Sequence, residues 1–182
     1  MMSYLIESAA EMLKLRLDSP YYSIETASDA QPPPTSPDIY LAIHEAGFNV
    51  VDPSQDALAV RLRFRVTISV RAPEYPMDRP DEMLGDHSRN VMKIAEKVAF
   101  ILHQERWNVV NMANDKRPQG MNGIVEPFGL MDLGETANRN GKWWGLGEES
   151  TGLVGASRSV LFGNALWQTA QPSEPEPEDA LQ

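Results

Sequence analysis

The sequence predicts an α+β domain, with one antiparallel or mixed sheet built around a single very long strand and helices packed on one face. Three observations point there. Residues 58–71 (LAVRLRFRVTISVR) alternate apolar and polar without exception. Residues 3–17 and 80–107 carry apolar side chains at helical spacing. Shorter β-type runs lie before, between and after these segments.

Taken in order, SYLIESAAEMLKLRL at 3–17 reads as an amphipathic helix with Ser3 as N-cap. Leu5, Ala9, Leu13 and Leu17 recur every fourth residue, flanked by Ile6 and Met12. Pro20 stops it, because proline has no N–H with which to continue a helix. Tyr21 to Thr26 is a short strand, and DAQPPPTSP at 29–37 is an extended proline-rich loop. Residues 39–51 (IYLAIHEAGFNVV) read as a strand, a turn near Glu45–Gly47 and a second short strand.

The run at 58–71 puts Leu58, Val60, Leu62, Phe64, Val66, Ile68 and Val70 on one face. The other face carries Ala59, Arg61, Arg63, Arg65, Thr67, Ser69 and Arg71. Strict period two means a strand with one buried face, about 45 Å long at the usual rise. Typical strands have about 5–6 residues, so this one is expected to outrun its own sheet and reach a neighbour. A long helix follows from Pro80 to about Trp107, marked by Leu84, Val91, Ile94, Ala95, Val98, Ile101 and Leu102. Residues 111–123 read as polar loop, and 124–133 as a strand interrupted by Pro127. Residues 134–152 form a glycine-rich loop containing Trp143 and Trp144, and 153–170 is β-like with Gly155 and Gly163 at bulge or bend positions. The expected domain is 1–170, followed by a disordered Pro/Glu tail at 171–182.

Composition narrows the function classes. At 182 residues and 42% hydrophobic, the chain can bury a proper core as one domain. With no cysteine, disulfides, thiolate metal sites and thiol nucleophiles are excluded. Sixteen basic against 26 acidic residues give a net charge of −10, which argues against gripping a nucleic-acid backbone. Apolar stretches are far shorter than the ~20 residues that span a bilayer. Glu7, Glu11, Lys14 and Arg16 interrupt the N-terminal apolar positions, unlike a signal peptide.

The search for catalytic chemistry finds no constellation. His44, His87 and His103 lack metal-ligand spacing. His87 and His103 lie roughly 160° apart around one helix, so they cannot share a ligand there. The expectation is a non-enzyme with no metal and no cofactor. The residues that invite attention are candidate interface groups. Arg61, Arg63 and Arg65 stand on one strand face, either solvated, or pairing with carboxylates of a neighbouring strand or subunit, or touching nucleic acid, the last disfavoured by the net charge. Trp143 and Trp144 either plug the edge of the core, or anchor the loop in another chain, or stack on a ligand.

The order of segments resembles the tail terminator (tail-completion or minor tail) proteins of long-tailed bacteriophages and prophages. It is carried by the helix at 3–17, the paired β segments through IYLAIHEAGFNVV, and the long strand LAVRLRFRVTISVR. The strand runs into RAPEYPMDRPDEMLGDHSRNVMKIAEKVAFIL, and β segments close the chain near SVLFGNALWQTA. The resemblance covers roughly residues 3–170 and rests on order and texture rather than on an invariant motif. It implies a virion structural protein at the head–tail junction, assembled in the host cytoplasm as a homo-oligomer, a hexameric ring. Such a ring caps the tail tube protein, stops its polymerisation and meets the head connector or head-completion protein. DNA would pass through without specific binding, and no membrane is involved. The alternatives left open are a neighbouring neck, head-completion or baseplate protein, and a soluble binding domain of another kind.

Overall fold

The computed structural model describes residues 1–27, 32–33, 38–51, 59–71, 80–140 and 153–168, apart from the side chains of 80–89, 140, 153 and 154. The order of elements is α1 (Met2–Arg16), β1 (Tyr22–Thr26), β2 (Ile39–Val50), β3 (Ala59–Arg71), α2 (Pro80–Gln104), α3 (Arg106–Lys116), β4 (Ile124–Glu126), β5 (Gly129–Asp132), β6 (Ala137–Asn140) and β7 (Leu153–Gln168). The seven strands form one open mixed sheet. β1 runs parallel to β2, and every other pairing is antiparallel. Along the outer side of β7, β4, β5 and β6 follow one another as a segmented edge strand.

The alternating face of β3 is the centre of the core. Val60, Leu62, Phe64, Val66, Ile68 and Val70 are buried and join one cluster with Leu5, Ala9 and Leu13 of α1, Val91, Ala95, Val98 and Leu102 of α2, and Val109, Val110 and Ala113 of α3. The helices therefore cover the face that the period-two pattern marks as apolar. At its middle, Phe64 stacks on its cross-strand neighbour Phe162 at 5.1 Å, and Phe128 meets both rings edge-on at 5.0 and 5.7 Å. Pro127 makes this possible by ending β4, since proline cannot donate to the ladder. Phe128 then turns into the core before β5 begins.

Several expectations from the sequence need correction. The very long strand is one of three, because β2 has 12 residues, β3 has 13 and β7 has 16. Nor does β3 overhang its sheet. It pairs with β2 from Val60 to Val70 and with β7 from Ala59 to Arg71, so both of its ladders are filled within its own chain. Ser3 is not a cap: α1 starts at Met2, with Met1 at the N-cap and no side-chain capping bond. The segment at 39–51 does not fold back at Glu45–Gly47. One strand continues through a β-bulge there, with the extra residue accommodated by Gly47 at φ 93°.

Two further corrections concern segments read as loop. The long helix ends at Gln104, and a new helix, α3, fills 106–116. α3 escapes detection because only Val109, Val110 and Ala113 are buried among the asparagines and charges of RWNVVNMANDK. At the junction, Arg16 of α1 pairs with Glu105, which also accepts a hydrogen bond from Asn108. The bonds from Asn108 and Arg16 hold the Glu105 carboxyl below the usual carboxylate range against the effect of desolvation. This contact therefore supports folding above that range, and its support is lost as pH falls through the lowered value. β6 falls inside the expected glycine-rich loop, whose remainder at 141–152 lies outside the described residues, as do the 171–182 tail and most of the proline-rich loop.

Asn114 joins α3 to the sheet. Its Nδ2 donates to the Ile124 carbonyl at 2.9 Å, and its Oδ1 accepts from the Ile124 N–H at 2.7 Å, imitating a strand partner. A Cβ on Gly123 would come within 2.6 Å of that oxygen, so glycine is required beside it.

Phe64→Ala should cost about 3–5 kcal/mol in urea unfolding, the range for emptying a packed aromatic site. Phe48→Ala, on the same face of the sheet but exposed, should stay within about 0.5 kcal/mol.

Candidate functional site: the polar face and edges of the sheet

The face of the sheet opposite the helices carries the arginines. They stand where two irregularities meet. Between Leu62 and Phe64 of β3, both neighbours carry an extra residue: β2 around Ala46–Gly47, and β7 at Gly163–Asn164, where Asn164 has φ 69°. Arg63 therefore sits between two bulges. Its stem lies over Gly163, where a Cβ would come within 2.9 Å of Arg63 Cγ and 2.2 Å of Met131 Sδ. Gly163 is thus a site of close approach as well as a bulge.

The three arginines have three different fates. Arg61 Nη1 reaches Glu126 Oε2 of β4 at 3.1 Å and the Asn164 carbonyl at 3.2 Å. Arg63 Nη2 donates to Asn49 Oδ1 of β2 at 2.7 Å, while its Nε is buried without a partner. Arg65 is exposed and makes no hydrogen bond or ion pair among the described residues. Of the readings left open for the stripe, pairing with a carboxylate is made within the chain by Arg61, whose partner Glu126 lies on β4 across β7 rather than on a strand adjacent to β3. Arg65 is the exposed one of the three. Trp143 and Trp144 lie outside the described residues.

Beyond Arg65 the same face changes character. Thr67 and Ser69, which the alternation of 58–71 puts on the polar side, are buried, and so are Tyr40 and Ser157, the cross-strand partners of Ser69. Thr67 Oγ1 lies 3.0 Å from both His44 Nε2 and Ser159 Oγ, so one hydroxyl links three adjacent strands. Arg139 Nε donates to Ser157 Oγ at 2.7 Å. These contacts satisfy the hydroxyls of Thr67, Ser157 and Ser159. The buried Ser69 Oγ, by contrast, has no hydrogen-bond partner among the described residues, a deficit of the kind that costs about 1–3 kcal/mol. His44 is thus a hydrogen-bonded sheet residue. His103 lies 3.4 Å from the Arg106 guanidinium, and the side chain of His87 lies outside the described residues. Among the described residues, no group of three or more His, Asp and Glu is placed to hold a metal ion. No helix among them is long and apolar enough to cross a membrane.

Sequence reasoning missed Arg158. It belongs to β7, and its guanidinium donates to the Leu133 carbonyl at 2.8 Å, Thr136 Oγ1 at 2.9 Å and the Gly134 carbonyl at 2.5 Å. One side chain thereby clasps the link between β5 and β6. Gly134 has φ 62°, and a Cβ there would stand 2.3 Å from the Ser159 carbonyl, so this link runs tight against β7. A single arginine in an alternating strand gives no sequence signal for such a role.

The edges of the sheet are the other distinctive feature. β1 covers β2 only from Ile39 to Ile43. Beyond that point no described strand lies on the outer side of β2, and Phe48, Val50 and Val51 are exposed. On the opposite edge, Val125, Leu130 and Met131 are exposed along β4 and β5.

Compared with known proteins, the chain matches no family model and no curated protein.

Arg158→Lys should cost about 1.5–3 kcal/mol, because an ammonium cannot satisfy three separated acceptors in the plane of a guanidinium. Arg61→Gln should cost no more than about 1 kcal/mol, as expected for a half-exposed ion pair. Arg65→Gln should leave the unfolding midpoint unchanged. Thermal and urea unfolding of the three variants checks this order.

Proposed function

We propose that this protein is a ring-forming structural subunit of a phage virion, a tail terminator that caps the tail tube and offers the surface for joining the head. The observation that carries this reading is the open sheet with incompletely paired edges on both sides, each bearing exposed apolar side chains. Heterologous contacts between unlike edges close into rings when the rotation per subunit allows. The element order supports the same reading: one helix, two paired strands, the long β3 and a long helix precede the closing strands. This is the order on which the resemblance to tail terminators rests.

Capping by such a subunit is a matter of geometry. One face of the ring would match the pairing surface of the tube, and the other would not, so no further tube subunit could add. A net charge of −10 suits a passage for DNA, since a wall that bound phosphate would retard it. The ring would be hexameric, with the tube end serving as template where free subunits associate weakly.

Particles produced without the protein should carry tails of uncontrolled length and heads that fail to join them, seen by negative-stain electron microscopy. Tails of normal length joined to heads in the knockout would overturn the terminator reading.

A further inference from the structure

We infer that the open half of β2 is a seam for a second copy of this chain, and that it pairs with the β4–β5 edge of the next protomer. The inference rests on the ring reading above and adds the surfaces that meet. Two hydrogen bonds show which way β2 points its backbone. Ile39 N–H donates to the Tyr21 carbonyl at 3.2 Å and the Ile43 carbonyl accepts from Ala27 N–H at 3.1 Å, so residues 39, 41 and 43 face β1. Past the bulge, Val51 N–H donates to the Ala59 carbonyl of β3 at 2.8 Å. Alternation then turns the N–H and C=O of Phe48 and Val50 outward, where no described strand receives them. Such a row is a template for strand addition.

The side chains at these positions strengthen the case. Phe48 and Val50 are cross-strand partners of Leu62 and Val60, so they extend the apolar, helix-covered face of the sheet. Leu62 and Val60 are buried, whereas Phe48 is 59% and Val50 44% exposed. The core face thus runs out past the cover its own helices provide. Outward backbone groups and uncovered apolar side chains coincide at the same two residues.

A second copy fits because the chain itself carries the other half. Val125, Leu130 and Met131 are 48%, 42% and 46% exposed on the far edge. A two-fold contact between β2 and its own copy would leave that edge in water. A head-to-tail contact would bring Phe48 and Val50 beside Leu130, which is the cross-strand partner of Phe162 and so shares the helix-covered face. Met131, over Gly163 on the arginine face, would flank the same seam. One repeated heterologous seam is what a closed ring requires. The far edge is also short and broken, with β4 at three residues and β5 at four. Short edge strands resist indiscriminate pairing, and the open stretch of β2 that would receive them spans residues 44–50.

The absence of cysteine makes the seam directly testable. Single and double cysteine variants of the full chain would be made, combining Phe48→Cys or Val50→Cys with Val125→Cys, Leu130→Cys or Met131→Cys. All would be checked for native circular dichroism and oxidised at high protein concentration. At least one double variant should give a ladder of covalent oligomers on non-reducing gels, since Cβ atoms of adjacent strands lie within disulfide reach. Every single variant should stay monomeric on the same gel. Dimers from Phe48→Cys or Val50→Cys alone would show a two-fold contact and overturn the head-to-tail seam. Absence of cross-links in every double variant would overturn it too. The knockout phenotype separates this from the cap: abnormal tails without cross-links remove the seam and keep the cap. A ladder with normal tails does the reverse.

Discussion

Six apolar side chains alternate along β3 from Val60 to Val70, and burying them on one face leaves the strand with two rows of backbone groups to pair. That double demand organises the rest of the molecule. β2 and β7 fill the two ladders, the three helices cover the apolar face, and the remaining strands attach to β2 or β7. The bulges on both sides of Arg63 are concessions to the same demand. They let three long strands stay in register while the sheet bends around one crowded arginine.

The parts of the fold that follow from periodicity were legible in the sequence. β3, α1 and the body of α2 carry strict period-two or helical patterns, and they occur within a few residues of the expected bounds. The Pro127 break and the Gly163 bulge were legible because proline and glycine act locally. α3 and β6 were not. Each buries little of its own surface, so neither has a face for a pattern to mark, and each is fixed by contacts outside itself. For α3 these are the Glu105 contact with Arg16 and the Asn114 link to Ile124. For β6 the contact is the ladder with β7.

The arginine stripe shows the same limit at the level of the candidate site. Spacing places Arg61, Arg63 and Arg65 on one face, and they do share it. Spacing says nothing of the two bulges, which give Arg61 a carbonyl of β7 and seat Arg63 over Gly163. The open edge was legible only indirectly. A strand of unusual length suggested an unpaired overhang, and among the described residues the stretch without an outer partner is on β2 rather than β3. A strand predicted from its own alternation carries no information about how long its neighbours are.

β7 begins at Leu153 and is the partner of β3, β4, β5 and β6 at once. During synthesis, these four strands emerge before the one that joins them. At about 5–20 residues per second, β3 spends several seconds outside the ribosome with only β2 beside it and its second ladder open. The nascent chain thus passes through a stage in which its stickiest strand is half covered, and completion of the sheet waits on distant pairings that close slowly. Chaperone occupancy and translation speed then bear on how that interval is guarded, because the exposed strand is aggregation-prone until β7 arrives.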